Sequence, residues 1–425
     1  MSQTRVLVSL AGAAISATTW AGTPDQDRAY AAELKADSLN KSSALESNSG
    51  LTAADGDSKV VLGGFTQFRY TMNFRDDPST GGLPHQSGFT NGFDAPTTRL
   101  QATGNVMSKD FTFKVEGNFN QSGEFSLLDA FSRWAFDNGS SVIIGQFQNP
   151  LWREWSMYPK GSLAADVSVV TAVFNPGYTQ GVAYNFRNDQ WNFLIAADDG
   201  LQSGNTPYTT GSTDLSTFQG GSNEANIGVS TRIEFKGGGD WKLFDDFSGW
   251  RGQETAWLIG LGGHWENDGN TNANTVQYQG QQFLLSLDAQ VEGNGWNVYG
   301  GVIWSGNSPG NGGGDSVNNF GFIVQGGYMF TDNVEGFIGW NGIALDSAYG
   351  QNNDNNFNTG LVGVNFYPFA KSSAVKFTTD LQWFWNAVND NAATAALAQT
   401  NNNVGLLPSS EDNQVAIRFQ LQVSF

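Results

Sequence analysis

Apolar and polar residues alternate along most of the chain, the two-residue period that puts neighbouring side chains on opposite faces of a β-strand. The last thirteen residues, 413–425, alternate without interruption. Similar runs predict about sixteen strands, at 59–73, 97–106, 110–120, 125–136, 140–148, 178–186, 190–198, 224–236, 254–266, 276–292, 295–305, 318–330, 333–346, 356–369, 374–389 and 413–425. Because all eleven prolines lie outside the strand interiors, the pattern favours a fully hydrogen-bonded sheet.

The predicted connections alternate in length. Short turns lie at 107–109, 137–139, 188–189, 293–294 and 331–333, and longer loops rich in Gly and Asn lie at 74–96, 149–177, 199–223, 267–275, 306–317, 347–355 and 390–412. This alternation is typical of a transmembrane antiparallel β-barrel, so we expect an all-β fold of about sixteen strands. Segment 237–253 is long for a turn, and it leaves fourteen or eighteen strands open.

The terminal strand resembles the closing strand of bacterial outer-membrane β-barrels, in which alternating apolar residues end in Phe. The resemblance implies an assembly signal that the barrel-insertion machinery reads. Its residues here are Phe419, Leu421, Val423 and Phe425. It also implies that outer-membrane lipid surrounds the barrel.

The N-terminal residues predict export. Residues 1–21 combine Arg5 with an apolar run and small residues, as in a secretory signal peptide. Residues 22–58 read as a periplasmic segment that is partly helical, and residues 59–425 form the predicted barrel.

Composition narrows the class of protein. Charged residues make up 14% of the chain, well below the ~25% of soluble domains, and no apolar run is long enough for a membrane helix. The absence of Cys excludes disulfides and thiolate metal sites. A net charge of −19 argues against nucleic-acid binding and, inside a pore, would concentrate cations.

The more polar face of each predicted strand carries amides and charges of both signs. We expect this face to line the lumen, because burying so many unpaired ions would be costly. The candidate lining residues are Gln67, Arg69, Arg99, Lys114, Glu116, Asp129, Arg133, Arg232, Glu234, Asp288, Asp380 and Arg418. A barrel of about sixteen strands is wide enough for an aqueous channel, so we expect a diffusion pore for small hydrophilic solutes and ions, general or cation-preferring.

Loop 149–177 stands apart because it is long and rich in aromatic residues. Exposed to water, its large side chains would form an unfavourable apolar patch. We therefore expect the loop to fold inward and narrow the lumen, although it could instead form a lid or a subunit contact. The candidate constriction residues are Trp152, Arg153, Glu154, Trp155, Tyr158 and Asp166, because rings of charge set ion selectivity.

Four stretches in order resemble the phosphate-selective porin O and P family of bacterial outer-membrane porins. They are Lys-Asp-Phe-Thr-Phe-Lys-Val-Glu-Gly-Asn-Phe at 109–119, Leu-Asp-Ala-Phe-Ser-Arg-Trp at 128–134, Ile-Gly-Gln-Phe-Gln-Asn-Pro at 144–150 and Phe-Asn-Pro-Gly-Tyr-Thr-Gln-Gly-Val at 174–182. The resemblance implies a sixteen-stranded homotrimeric channel with an inward-folded third outer loop. The chain departs from the family's basic pore lining, with 21 Lys and Arg against 40 Asp and Glu, which argues against phosphate selectivity.

Other functions remain open at this stage. A substrate-selective pore for phosphate or a sugar, a structural or adhesive barrel, and a secreted glycan-binding or glycan-cleaving all-β protein each fit part of the pattern. His264 and Glu266 alternate on one strand, which reads as lumen polarity rather than a metal site, and His85 lies in a loop. We find no phosphate-cradling Gly loop, and we expect no metal, no cofactor and no catalytic site.

Overall fold

The computed structural model describes residues 51–52, 57–76, 88–207, 213–214, 221–222, 225–268, 280–308, 315–349, 355–400 and 402–425. The predicted signal peptide, the predicted helix within 22–50 and His85 lie outside these residues. Sixteen long strands form the fold: β1 (Lys59–Phe74), β2 (Thr98–Val106), β3 (Ser108–Phe119), β4 (Phe125–Ala135), β5 (Ser140–Gln148), β6 (Tyr178–Arg187), β7 (Trp191–Asp198), β8 (Ala225–Gly237), β9 (Ala256–Asp268), β10 (Gln281–Gly293), β11 (Trp296–Ser308), β12 (Val317–Met329), β13 (Val334–Ala344), β14 (Asn356–Phe366), β15 (Val375–Phe384) and β16 (Gln414–Ser424).

The sixteen strands close into a barrel in which each strand pairs antiparallel with its sequence neighbours. The ladder between β1 and β16 completes the circle, and Phe425 extends it with two backbone hydrogen bonds to Gly64, of 2.8 and 2.9 Å. The prediction of an all-β barrel of about sixteen strands is confirmed. The alternatives of fourteen and eighteen strands are wrong, because segment 237–253 adds no strand to the barrel.

Strand ends differ from the predicted ones where regular pairing stops. β15 ends at Phe384 rather than at 389, whereas the predicted start of β10, 276–279, lies outside the described residues. Beyond the barrel ladder, Phe89–Asp94 pairs with the loop end of β1, Leu51–Thr52 pairs with its first residues, and Thr213–Asp214 pairs with Gly221–Ser222.

The outer face of the barrel is apolar and exposed. Leu285, Val302 and Ile338, for example, are 52%, 52% and 67% exposed, whereas the residues next to them in sequence point inward. Side chains of this kind face lipid in outer-membrane barrels. No helix within the described ranges is long and apolar enough to cross a membrane.

Among the described residues, helices occur only in the connections between strands. α1 (Arg153–Met157) and α2 (Val169–Val173) lie in loop 149–177, and α3 (Ala392–Ala398) lies between β15 and β16. Three 3₁₀ turns lie at Trp241–Asp245, Ser347–Tyr349 and Val388–Asp390.

Candidate functional site in the barrel lumen

Loop 149–177, here the first inserted loop, packs against the inner face of the barrel wall. Leu151, Trp152, Val170 and Phe174 are fully buried and belong to a cluster that includes inward-facing wall residues such as Ile303, Ile323 and Phe337. The apolar side chains of the loop, which would be unfavourable in water, are therefore buried inside the barrel.

Inward-facing glycines on β9, β11 and β12 make room for this loop. A Cβ atom on Gly262 would lie 2.0 Å from the backbone oxygen of Leu151, and one on Gly301 would lie 2.8 Å from the Trp152 ring. A Cβ on Gly321 would meet Val170 at 2.6 Å. The wall is thus shaped for close approach of the loop backbone and its largest side chains.

Glu154 holds the two helices of the first inserted loop together. Its carboxylate accepts hydrogen bonds from the backbone N–H and hydroxyl of Ser168, at 2.9 and 2.6 Å, and from the hydroxyl of Thr171. Burial raises the pKa of the Glu154 carboxyl, although these hydrogen bonds oppose the shift. Glu154 therefore stabilises the folded conformation of the loop by bonding α1 to the start of α2.

Arg153 and Asp166 attach the same loop to its surroundings. Arg153 donates to Gln290 Oε1 of the wall at 2.8 Å and to the backbone oxygen of Phe244 at 2.5 Å. Asp166 pairs with Arg69 of β1 at 2.8 Å. Both side chains are nearly inaccessible to solvent, so the structure places them at contacts between segments.

A second inserted loop, residues 385–413, shares this position. Val388, Ala393, Val404 and Leu406 are buried in the same apolar cluster as the first inserted loop. Arg69 donates to the backbone oxygens of Asn403, at 2.5 Å, and Ala165, at 2.6 Å. One guanidinium therefore joins both loops to the wall.

The third insertion comes from the opposite end of the barrel. Residues 238–253, the turn-side insert, bury Phe244 and Phe247, and the ring of Phe247 packs 4.6 Å from that of Tyr299 on β11. The backbone N–H of Phe247 donates to Gly161 of the first inserted loop at 3.1 Å. The segment that is too long for a turn thus reaches into the lumen and meets the loop.

The inner wall of β8–β16 is covered rather than open to water, contrary to the sequence-based expectation. Several of its charges are paired: Arg418 binds Asp380 at 2.8 and 2.9 Å, and Arg232 binds Asp288 at 3.0 and 2.8 Å and Glu234 at 2.9 Å. Bidentate pairing of this kind makes burial of a charge tolerable. Lys376 donates instead to the backbone oxygen of Ser162 in the first inserted loop at 2.6 Å. The expectation failed because a polar strand face does not reveal whether its partner is water or another segment.

Aromatic residues also face inward. Tyr299, Phe337, Phe357 and Phe384 are all buried in the same apolar cluster as the inserted loops. On β5–β7 a smaller apolar cluster surrounds Phe147, Ala183 and Ala196.

The wall of β2–β4 remains partly open. Its inward-facing residues Gln101, Thr103, Thr112, Asn118 and Arg133 retain intermediate exposure. The side chain of Lys114 is 29% exposed. Among the described residues, the polar inner wall keeps contact with solvent in this sector.

A charged cluster crosses this open sector. Arg99 pairs with Glu116 at 2.9 Å, and Lys114 contacts Glu116 at 2.8 Å and Asp129 at 2.6 Å. Arg99 also lies 5.8 Å from the ring centre of Tyr158 in the first inserted loop. Arg99, Glu116 and Asp129 are at most 8% exposed, so Lys114 is the member of the cluster most open to solvent.

The predicted site residues therefore fall into two groups. Arg99, Lys114, Glu116, Asp129, Arg133 and Tyr158 lie along the partly open sector, whereas Arg69, Trp152, Arg153, Glu154, Trp155, Asp166, Arg232, Glu234, Asp288, Asp380 and Arg418 lie where inserted segments meet each other or the wall. Gln67 is buried within the wall and donates to Gln422 of the neighbouring strand β16. The sequence did not predict that the turn-side insert enters the lumen, or that Gly262, Gly301 and Gly321 make room for the first inserted loop. Glycines at inward positions of β9, β11 and β12 were the available signal.

Within the described ranges, no group of three or more His, Asp and Glu side chains is arranged to hold a metal ion. No known family model matches the chain, and no curated protein sequence matches it.

Solved structures do match. The outer-membrane channel DcaP of Acinetobacter baumannii aligns with a TM-score of 0.56 and 12% identity over 89% of this chain and 100% of that chain. The outer-membrane expressed OmpT of Vibrio cholerae aligns with a TM-score of 0.52 and 10% identity over 88% of this chain and 100% of that chain. At these identities the likeness concerns the fold. The chain has the closed sixteen-stranded fold of bacterial outer-membrane porins, and its exposed apolar belt places it in the bacterial outer membrane.

Proposed function

We propose that the protein is a diffusion channel for small hydrophilic solutes and ions, rather than an enzyme, and that its passage runs along β2–β4. The observation that carries this proposal is the contrast within the inner wall. Polar residues of β2–β4 stay partly exposed, while those of β8–β16 are covered by the inserted segments. A polar wall with access to water is what a diffusion channel requires.

The charged level of this passage is the cluster of Arg99, Lys114, Glu116 and Asp129. Two cations and two carboxylates nearly cancel there, so the cluster favours neither sign strongly. The net charge of −19 then gives a weak preference for cations. Arg153, Glu154 and Asp166 act in this proposal by fixing the first inserted loop, because their charges are bonded at buried contacts.

The resemblance to phosphate-selective porins supports two finer points of the proposal, a homotrimer and an inward-folded third outer loop. It does not extend to phosphate as the solute, because the charged level offers balanced charges instead of a basic lining. The alternative of a structural or adhesive barrel, with an incidental lumen, predicts no ion conduction.

Bilayer recordings of the purified protein under a salt gradient test the proposal. We expect discrete conductance steps with a reversal potential that weakly favours cations. Arg99→Gln should shift that potential toward cations and Glu116→Gln toward anions. Arg251→Gln is the matched control, because Arg251 is half exposed at the turn end of the barrel. Correctly folded protein that gives no steps would sink the proposal.

A further inference from the structure

A groove of about 650 Å³ opens on the outer face of the barrel, across strands β11–β15. Gly326 of β12 forms part of its floor. Its ladder partners Val298 and Ile338 are 47% and 67% exposed on the same face, whereas the glycine adds no side chain. The volume of the groove lies within the ~300–1,000 Å³ range of small-molecule sites. Side chains therefore cover this face unevenly, and the recess has the size of a binding site.

Three tryptophans border the groove toward the end of the barrel that carries the long loops. Trp340 of β13 and Trp383 of β15 face outward on either side of Gly360 on β14. The ring of Trp385, just beyond β15, packs against both, with ring centres 6.1 and 5.7 Å apart. A Cβ on Gly360 would lie 3.3 Å from the Trp385 ring, so the glycine leaves room for it. The three rings together form one apolar side of the groove.

The side chains along the groove offer hydrocarbon contacts and no hydrogen bonds. Those that face outward are Val, Ile, Leu and Trp. The indole N–H groups of Trp340 and Trp383 are already bonded to Asn358 and Asn413, at 3.2 and 3.1 Å. The indole N–H of Trp385 is buried and has no acceptor among the described residues. Because protein partners normally add hydrogen bonds and a polar rim, these surroundings favour an occupant made of hydrocarbon.

The environment of the groove supplies such an occupant. This face belongs to the exposed apolar belt that places the chain in the outer membrane, where acyl chains take the place of water. An acyl chain in the recess gains dispersion contacts with wall atoms on more than one side, which a flat part of the belt does not offer. Since hydrogen bonds to Asn already hold Trp340 and Trp383, binding orders few side chains. The groove is therefore formed in advance for a lipid.

We propose that this groove binds an acyl chain of a membrane phospholipid and retains that lipid more firmly than the rest of the belt retains its lipids. Val362 of β14, 52% exposed, lies in the groove between Ile338 and Leu381. Added bulk at this position would displace the chain. The site lies on the outer face of the wall and does not depend on ion conduction.

Photocrosslinking locates the lipid. The purified protein is reconstituted in vesicles of phosphatidylethanolamine and phosphatidylglycerol that contain a small fraction of phosphatidylethanolamine with a diazirine on one acyl chain. After illumination, we expect peptides of β12–β15 to carry at least threefold more label per outward-facing residue than peptides of β8–β10. Equal labelling of the two sets would overturn the proposal. Protection of β12–β15 from label would also overturn it and would assign the groove to a contact between copies of the chain.

Matched substitutions on one strand test the groove itself. Val362→Phe adds bulk inside it, whereas Val364→Phe makes the same change two residues further along β14, at a position that is 45% exposed but outside the groove. We expect Val362→Phe to remove most of the excess label from β12–β15 and Val364→Phe to leave it unchanged. The same pattern in both variants would rule out the site. Heat-modified mobility on gels shows that each variant is folded, and the wild-type labelling result needs neither variant.

Native mass spectrometry of protein extracted from the same vesicles tests retention. Wild-type and Val364→Phe protein should each keep one phospholipid per barrel, and Val362→Phe protein should show less than a tenth of that occupancy. Absence of bound phospholipid from the wild-type protein, or equal occupancy in the two variants, would contradict firm binding.

Discussion

Single residues decide how closely the first inserted loop can approach the wall, and Gly262 is the tightest of these positions. A Cβ there would lie 2.0 Å from the Leu151 oxygen and 2.5 Å from Ser286 Oγ. We expect Gly262→Ala to cost about 1–3 kcal/mol, as overpacking of a well-filled core does, and to raise single-channel conductance by displacing the loop base. The adjacent Gly263→Ala faces lipid, where the nearest contact is 3.2 Å, and should change neither property. Equal conductance of the two variants would contradict a role of Gly262 in positioning the first inserted loop.

The buried pair of Arg418 and Asp380 gives a second prediction at this scale. Asp380→Asn removes the partner charge of a fully buried guanidinium, which also holds the backbone oxygen of Val404. We expect a loss of about 3–5 kcal/mol in unfolding free energy, the usual result of breaking one side of a buried pair. Urea titration of protein refolded into lipid vesicles measures it. Asp332→Asn is the control, because its pair with Arg251 is exposed and contributes about 0–1 kcal/mol.

We expect the packing of the turn-side insert to depend on pH. Burial raises the pKa of Asp246 to about 7 from an ordinary value of 3.8. Because the folded-state pKa is the higher one, the stabilisation is complete below about pH 4 and is lost as the pH rises through 7. We compare hydrogen exchange of residues 243–248 in the wild-type protein with that in Asp246→Asn protein. The ratio of the wild-type rate to the Asp246→Asn rate should be larger at pH 8.5 than at pH 5. Asp240→Asn should leave the wild-type dependence unchanged, and parallel behaviour of all three proteins would refute the assignment.

At the scale of secondary-structure elements, the sequence predicts the positions of the strands far better than it predicts what their inward faces contact. Period-two alternation identified every barrel strand, because each strand has one face in lipid and the other in a different environment. It could not separate a wall facing water from one facing an inserted segment, since both present polar side chains. Arg69 and Arg418 look the same in sequence as Arg99, yet they fasten loops, and only the docked position of residues 149–177 and 385–413 distinguishes them. The unusual length of 237–253 and the inward glycines were partial signals.

At the scale of the whole molecule, Phe425 is the residue at which closure of the barrel can be separated from delivery to the membrane. Its backbone bonds to Gly64 close the barrel, while its ring is 51% exposed on the outer face. If the terminal strand carries the assembly signal that its resemblance implies, the ring serves recognition and the backbone serves closure. Phe425→Ala should then sharply reduce the amount of folded protein in the outer membrane of cells. Refolding of the same variant in detergent should be nearly normal, because the backbone bonds remain.

The matched control for that prediction is Phe366→Ala, which removes an outward ring, 45% exposed, at the turn end of β14. It loses a similar lipid-facing apolar area without touching the terminal strand. A general cost of placing less aromatic surface in lipid would therefore lower the amount of folded protein in both variants alike. Heat-modified mobility on gels, measured in cell envelopes and after refolding in detergent, separates the two explanations. A selective defect of Phe425→Ala in cells would assign the ring to assembly. Equal defects of both variants, or a defect of Phe425→Ala in detergent as well, would mean that the last residue acts through barrel stability.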